Sequence, residues 1–159
     1  MDQRVPMTPH GYDALKAELH RLKTVERPAN IRDIEEALAH GDLSENAEYH
    51  AAKEKQAHLA GRIAMLDDKI ARAQIIDSRG HDGDRVRFGA TVVLIDVETE
   101  DRVSYTIVGE DEADAKRGMI SVTSPVAQAL MNKEAGDEVA VKVPKGRREL
   151  EIVEIRFEL

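Results

Sequence analysis

Leu59, Ile63, Leu66, Ile70 and Ala73 follow one another at steps of four, three, four and three residues, the spacing that lines one side of an α-helix with a coiled-coil seam. Such a seam needs a partner, and the same chain supplies one. From Thr8 the sequence reads as helix: Thr8 suits the cap, Pro9 the first turn, and Leu15, Leu19, Leu22 and Val25 recur at helical spacing. Pro28 lacks an amide hydrogen and crowds the turn before it, so a kink or break is expected near Arg27. Ile31, Ile34 and Leu38 then resume the stripe in a shifted phase, and the first helix is expected to end near His40. A second helix is expected after Gly41. Two helical stretches of similar length joined by a few residues fold back on each other as an antiparallel hairpin. Arms of about thirty residues would each reach roughly 45 Å.

The texture changes near Ser78. Arg79, Gly80, His81, Asp82, Gly83 and Asp84 form a polar, glycine-bearing linker, which divides the chain into a hairpin domain over residues 1–78 and a second domain over 79–159. Strands are expected at Thr91–Ile95, Val103–Val108, Met119–Val122, Glu138–Val143 and Leu150–Phe157, several of them alternating apolar and polar residues in the manner of a mostly antiparallel sheet. Ser124 followed by Pro125 marks a helix start, and Val126–Met131 supplies one short helix to cover the sheet. The fold class is therefore α+β.

Composition narrows what the chain can do. Aromatic residues are 3% of it and Trp is absent, which argues against binding nucleic acid on a platform of stacked bases. The net charge is −8. Residues 1–78 carry 11 Lys and Arg against 14 Asp and Glu, and the remainder 12 against 17, so neither half is a general phosphate-binding surface. With no cysteine, disulfides, thiolate zinc sites and thiol redox chemistry are excluded. The first residues lack the basic and apolar regions of a leader, and no apolar run is long enough to span a bilayer. A cytoplasmic protein with no membrane association is expected.

The turn between the helices reads His40-Gly41-Asp42-Leu43-Ser44-Glu45-Asn46-Ala47-Glu48-Tyr49. Asp42 with Glu45 three residues on fits a capping box, in which each side chain satisfies the other residue's backbone amide. The same spacing puts two carboxylates on one side of a helix start, within about 5–6 Å at Cβ, which is half a Mg²⁺ site. Spacing leaves both readings open. His40, His50 and His58 flank this tip without paired metal-ligand spacing and are read as surface residues.

The segment from His40 through Glu54 resembles the signature of the bacterial Gre transcript-cleavage factors, most closely the GreA branch. Tyr105-Thr106-Ile107-Val108-Gly109-Glu110-Asp111-Glu112-Ala113-Asp114 resembles a second signature of that family, and Ile120–Ala127 and the terminal β segments also fit. The resemblance implies a coiled-coil hairpin followed by an FKBP-like domain that docks on bacterial RNA polymerase. The hairpin would enter the secondary channel of a backtracked enzyme, and the polymerase would cut its own transcript near the 3′ end of the nascent RNA. It implies that Asp42 and Glu45 help hold a Mg²⁺ of the polymerase active site and orient the attacking water, with no cofactor bound to the factor alone. On this reading the protein is an accessory factor rather than an enzyme, and a monomer. Ser44 and Asn46 are candidates for contacts with polymerase, or equally for satisfying the turn's own backbone. Lys53, with Lys55 nearby, falls where the family carries a basic residue facing RNA; a solvated helix face is the alternative. The strong basic face of the GreB branch is absent, so cleavage of short backtracked RNA is expected.

Three other functions fit parts of the sequence. The hairpin could plug the channel without promoting cleavage, although retention of both tip acids argues against that. An FKBP-like domain could be a prolyl isomerase or chaperone, but residues 79–159 offer only Phe88, Tyr105 and Phe157 for an aromatic pocket. A structural coiled-coil scaffold would tolerate change at Asp42 and Glu45 so long as a cap remained.

Overall fold

The computed structural model describes residues 3–41, 46–79, 83–143 and 146–158. The chain divides into two compact units, one of residues 1–3 and 12–73 and the other of residues 4–11 and 74–159. Ser78 and the expected linker that follows it fall within the second unit's span, and Gly80, His81 and Asp82 lie outside the described residues.

The first unit is the helical hairpin. Helix α1 (Pro9–Arg21) passes through a π-helical turn at Leu22–Glu26 into α2 (Arg27–Ala39), and α3 (Ala47–Ala71) returns. The effect expected of Pro28 is therefore not a break. The Arg27 amide donates to the Leu22 carbonyl five residues back, and this wider turn directly precedes a proline that has no amide of its own to donate. Its one extra residue moves the seam. Buried positions on the first arm are Leu15, Leu22, Asn30 and Ala37, spaced seven, eight and seven residues apart, with the step of eight crossing the π turn. Ile31 and Leu38, expected on the buried stripe, are 46% exposed, and Val25 is 56% exposed.

On the return arm Ala52, Leu59, Ile63 and Leu66 are buried as the seam requires. Ala73, also expected there, begins a strand instead, because α3 ends at Ala71. Arg62 grips Glu18 across the arms through both carboxylate oxygens at 2.8 and 2.7 Å, and Lys23 stands 3.5 Å from Asp67. Half-exposed pairs of this kind contribute about 0–1 kcal/mol each, whereas burying one leucine contributes about 1.5–3 kcal/mol. The apolar seam therefore dominates.

The second unit is built on a five-stranded sheet. Strands β3 (Thr91–Asp96), β4 (Arg102–Val108), β5 (Met119–Ser121), β6 (Glu138–Val143) and β7 (Gly146–Arg156) take the order β5-β4-β3-β7-β6. The pairings are antiparallel except β4 with β5, which is parallel, so the sheet is mostly antiparallel as expected, with one parallel pair at its edge. Helix α4 (Pro125–Leu130) starts as the sequence suggests, with the Ser124 hydroxyl accepting from the Ala127 amide at 3.2 Å. Val92, Leu94, Ile107, Ala127, Leu130 and Ile152 close the core, each 0 or 1% exposed. At the edge, β6 turns Val139 and Val141 inward and keeps Glu138, Ala140 and Lys142 exposed. Like charges face each other across that pair, Glu138 opposite Glu151 and Lys142 opposite Arg147.

Two short strands escaped the sequence reading, β1 (Val5–Met7) and β2 (Ala73–Ile75), which form a separate ribbon. Residues after β1 are held by the second family-like segment: the Thr8 amide donates to Glu112 Oε1 at 2.9 Å, and the Thr8 hydroxyl donates to Glu112 Oε2. Thr8 Oγ1 in turn accepts from the Gly11 amide at 3.0 Å, capping α1 as its sequence suggests. Gly109, three residues before Glu112, admits no side chain, since a Cβ there would lie 2.4 Å from the Pro6 carbonyl oxygen. Asp96, 5% exposed, closes the β3–β4 turn by accepting from the amides of Glu98 and Thr99 and from Arg148 Nε at 2.8 Å. The Thr99 amide first, and then Arg148, hold its carboxyl below the usual carboxylate range.

Candidate functional site

The closed end of the hairpin is built from the C-terminus of α2 and the N-terminus of α3. α2 ends with His40, whose amide returns to the Ala37 carbonyl at 3.2 Å. Gly41 follows at φ +110°, a left-handed backbone for which glycine has no steric cost. α3 begins at Ala47 with Asn46 as its cap: Asn46 Oδ1 accepts from the Tyr49 amide at 3.0 Å. Asn46 Nδ2 meanwhile donates to the Ala37 carbonyl at 2.7 Å. One side chain thus satisfies a free amide at the start of one helix and adds a second donor to a carbonyl in the last turn of the other.

The α3 cap is therefore Asn46 rather than Asp42, and the helix starts four residues later than a cap at Asp42 requires. Asp42, Ser44 and Glu45 lie outside the described residues. Of the two readings of Asn46, the contacts seen are those with the turn's own backbone.

Lys53 and Lys55 are not brought together. Lys53 Nζ donates to Gln56 Oε1 at 2.8 Å and lies along a groove between the arms with Arg27, Asn30 and Ile31. Lys55 lines a different groove, among Asp33, Glu36 and Glu48. The two lysines, two residues apart on one helix, point to different sides of the hairpin, as a rotation of about 200° requires. His40 Nδ1 stands 3.2 Å from Glu48 Oε2, with both side chains more than 60% exposed. The Tyr49 and His50 rings meet edge to face at 5.7 Å. His40 and His50 thus engage local neighbours on the surface.

Sequence reasoning passed over Asn30. It is the most buried polar side chain of the hairpin, 1% exposed, and its Nδ2 donates to the Ala52 carbonyl at 2.9 Å. The signal that would have found it is the heptad count from Leu22, corrected by one residue for the π turn.

Two family models match the chain. Residues 5–75 match the N-terminal model of the transcription elongation factors and residues 81–157 the GreA/GreB C-terminal model. The chain belongs to the GreA/GreB family of transcription elongation factors. Proteins described as transcription elongation factor GreA are similar to it nearly end to end. That of Hyphomonas neptunium is 59% identical over 98% of this chain and 99% of its own length. That of an Anaeromyxobacter species is 60% identical over 98% and 93%, and that of Thermodesulfovibrio yellowstonii 54% identical over 99% and 100%. These relatives place it in the GreA branch of the family. No described helix is long and apolar enough to cross a membrane.

Proposed function

We propose that this protein is an accessory factor of bacterial RNA polymerase. Its hairpin enters the secondary channel of a backtracked complex and stimulates the polymerase's own cleavage of the transcript, which frees an arrested enzyme to resume. The observation that carries this reading is the match of both family models across the chain, with Asp42 and Glu45 retained in the turn that closes the hairpin. The 79–159 domain is the part that docks on the polymerase, and the work is done in the cytoplasm by a monomer.

Asp42 and Glu45 are oxygen donors of the hard kind that Mg²⁺ takes, and two carboxylates leave its octahedron incomplete, as suits a site finished by another protein. In the complex the ion would supply charge stabilisation at the phosphodiester and a more acidic water. The chain's own residues do the rest. Asp42 and Glu45 present the carboxylates that hold the ion and orient the water, and Asn46 joins the two helix ends that carry them. Lys53, on the groove side of α3, supplies positive charge toward the displaced RNA, and Ser44 lies within the same tip. Lys55, set among three acids, has a weaker claim to such a role.

The test is transcript cleavage in artificially backtracked elongation complexes with Mg²⁺, comparing wild type, Asp42→Asn and Glu45→Gln. Wild type should cut, and both variants should bind and fail to cut. Binding without cleavage by the wild type would make the protein a channel blocker instead.

A further inference from the structure

α3 carries a second stripe at coiled-coil spacing beside its buried seam. Lys53, Ala57, Ala60, Ala64 and Asp67 follow one another at steps of four, three, four and three residues, the rhythm of a face that meets another helix. Ala57, Ala60 and Ala64 are exposed, and with Ile31 of the other arm and the seam residues Leu59 and Ile63 they line a groove of about 730 Å³. Ile31 is 46% exposed, as is Leu38 one heptad further along the same face. Asn30, 1% exposed, also lines the groove, and its Oδ1 accepts no hydrogen bond among the described residues. A hydroxyl or amide carried by an occupant is the donor this oxygen lacks. Arg27 lines the groove too, exposed and without an ion-pair partner among the described residues, whereas Asp67 stands 3.5 Å from Lys23. The groove lined by Asp33, Glu36 and Glu48 is acidic instead, so the hairpin presents two unlike flanks.

We propose that the alanine-lined groove seats a third α-helix, one belonging to RNA polymerase, which drops apolar side chains between the alanines and sets a carboxylate against Arg27. This rests on the reading above in which the hairpin enters the polymerase. The spacing of the stripe selects a helix, because steps of four and three residues keep two helices in contact over several turns. The alanines leave holes for the incoming side chains, and Ile31 with Leu38 forms the opposite wall. RNA fits this groove poorly, since no aromatic ring lines it on which a base could stack. Lys53, at the end of the stripe nearer the tip, keeps the role toward RNA given to it above.

The test is competition of unlabelled variants against labelled parent for purified RNA polymerase, once without nucleic acid and once in backtracked complexes that carry extruded RNA. Ala60→Gln and Ile31→Gln change exposed positions on the groove, and Ala51→Gln changes an exposed position on the acidic flank, so all three should melt with the parent. Ala60→Gln and Ile31→Gln should each weaken binding at least about tenfold in both forms of the polymerase, and Ala51→Gln should bind as the parent does. Arg27→Glu should weaken binding more at low salt than at high salt. Parental affinity in Ala60→Gln and Ile31→Gln overturns the proposal, and so does an equal loss in Ala51→Gln. A loss confined to complexes with extruded RNA assigns the groove to RNA and overturns it too. Self-association of the parent that Ala60→Gln abolishes would give the groove to a second copy, with the same consequence. An unchanged affinity in Arg27→Glu removes the acidic partner. If the parent binds without stimulating cleavage, the proposed function fails while the affinities still decide the groove; if it does not bind polymerase at all, both fail.

Discussion

The two units secure their folds by different means. In the sheet unit Val92, Leu94, Ile107 and Leu130 are fully enclosed, because a twisted sheet and a covering helix surround a side chain on every side. In the hairpin Leu66 alone among the apolar seam residues is 0% exposed, while Leu15, Leu22, Leu59 and Ile63 keep 6–8%. Two helices have one shared face, and solvent reaches its margins. The sheet unit should therefore hold the global stability of the chain, and the hairpin should open locally at lower cost.

The sharpest way to break this comparison is a pair of truncations read by chemical denaturation and amide exchange. Leu94→Ala should destabilise the sheet unit by about 3–5 kcal/mol, and Leu59→Ala the hairpin by about 2–3 kcal/mol, since a seam open to solvent leaves less of a void. Equal losses would show that the hairpin is as tightly closed as the sheet.

Next comes Asp96→Asn, which removes a buried carboxylate that accepts three hydrogen bonds. Its folded pKa is depressed, so its stabilisation is present above the unfolded value of about 3.9 and is lost as pH falls through the lower folded value. Urea midpoints of wild type and variant should differ at neutral pH and converge below about pH 4. A gap that persists in acid would show that the charge is not what the turn uses.

Smaller again is Asn46→Ala, which strips the cap of α3 and a partner of α2; about 1 kcal/mol should be lost, and confined exchange at the closed end of the hairpin would locate the loss. Last, Val25→Ser on the exposed face should change the melting midpoint by less than about 0.5 kcal/mol in equivalent free energy. A larger effect would mean that this face is covered.

What the sequence made legible follows the same division. The return arm was readable because Leu59, Ile63 and Leu66 obey one unbroken period. The first arm was readable only up to Leu22: the π turn adds a residue, so a count made on an ideal helix lands on Ala29 and Glu36, one residue short of Asn30 and Ala37, while the apolar Ile31 and Leu38 draw the stripe to the other side of them. Strands β4, β6 and β7 announced themselves by alternation, and β3 by its run of β-type residues. The three-residue β1 and β2 are too short to show a period, and the parallel pairing of β4 with β5 is set by the intervening segment that folds Glu112 onto Thr8, not by either strand. At the tip, Asp42 and Glu45 are marked by resemblance rather than by spacing, since the same pair suits a cap or a metal. Asn46, which could be read either way, makes its hydrogen bonds among the described residues with the turn's own backbone.

The exposed edge of β6 bears on how this protein behaves in a crowded solution. A strand from another molecule could find free backbone groups there, but it would have to settle beside Glu138 facing Glu151 and Lys142 facing Arg147, pairs that already repel within the sheet. Stacking copies edge to edge would multiply that repulsion with each added layer. The molecule thus carries, in the side chains of its outermost strand, its own barrier to fibril growth.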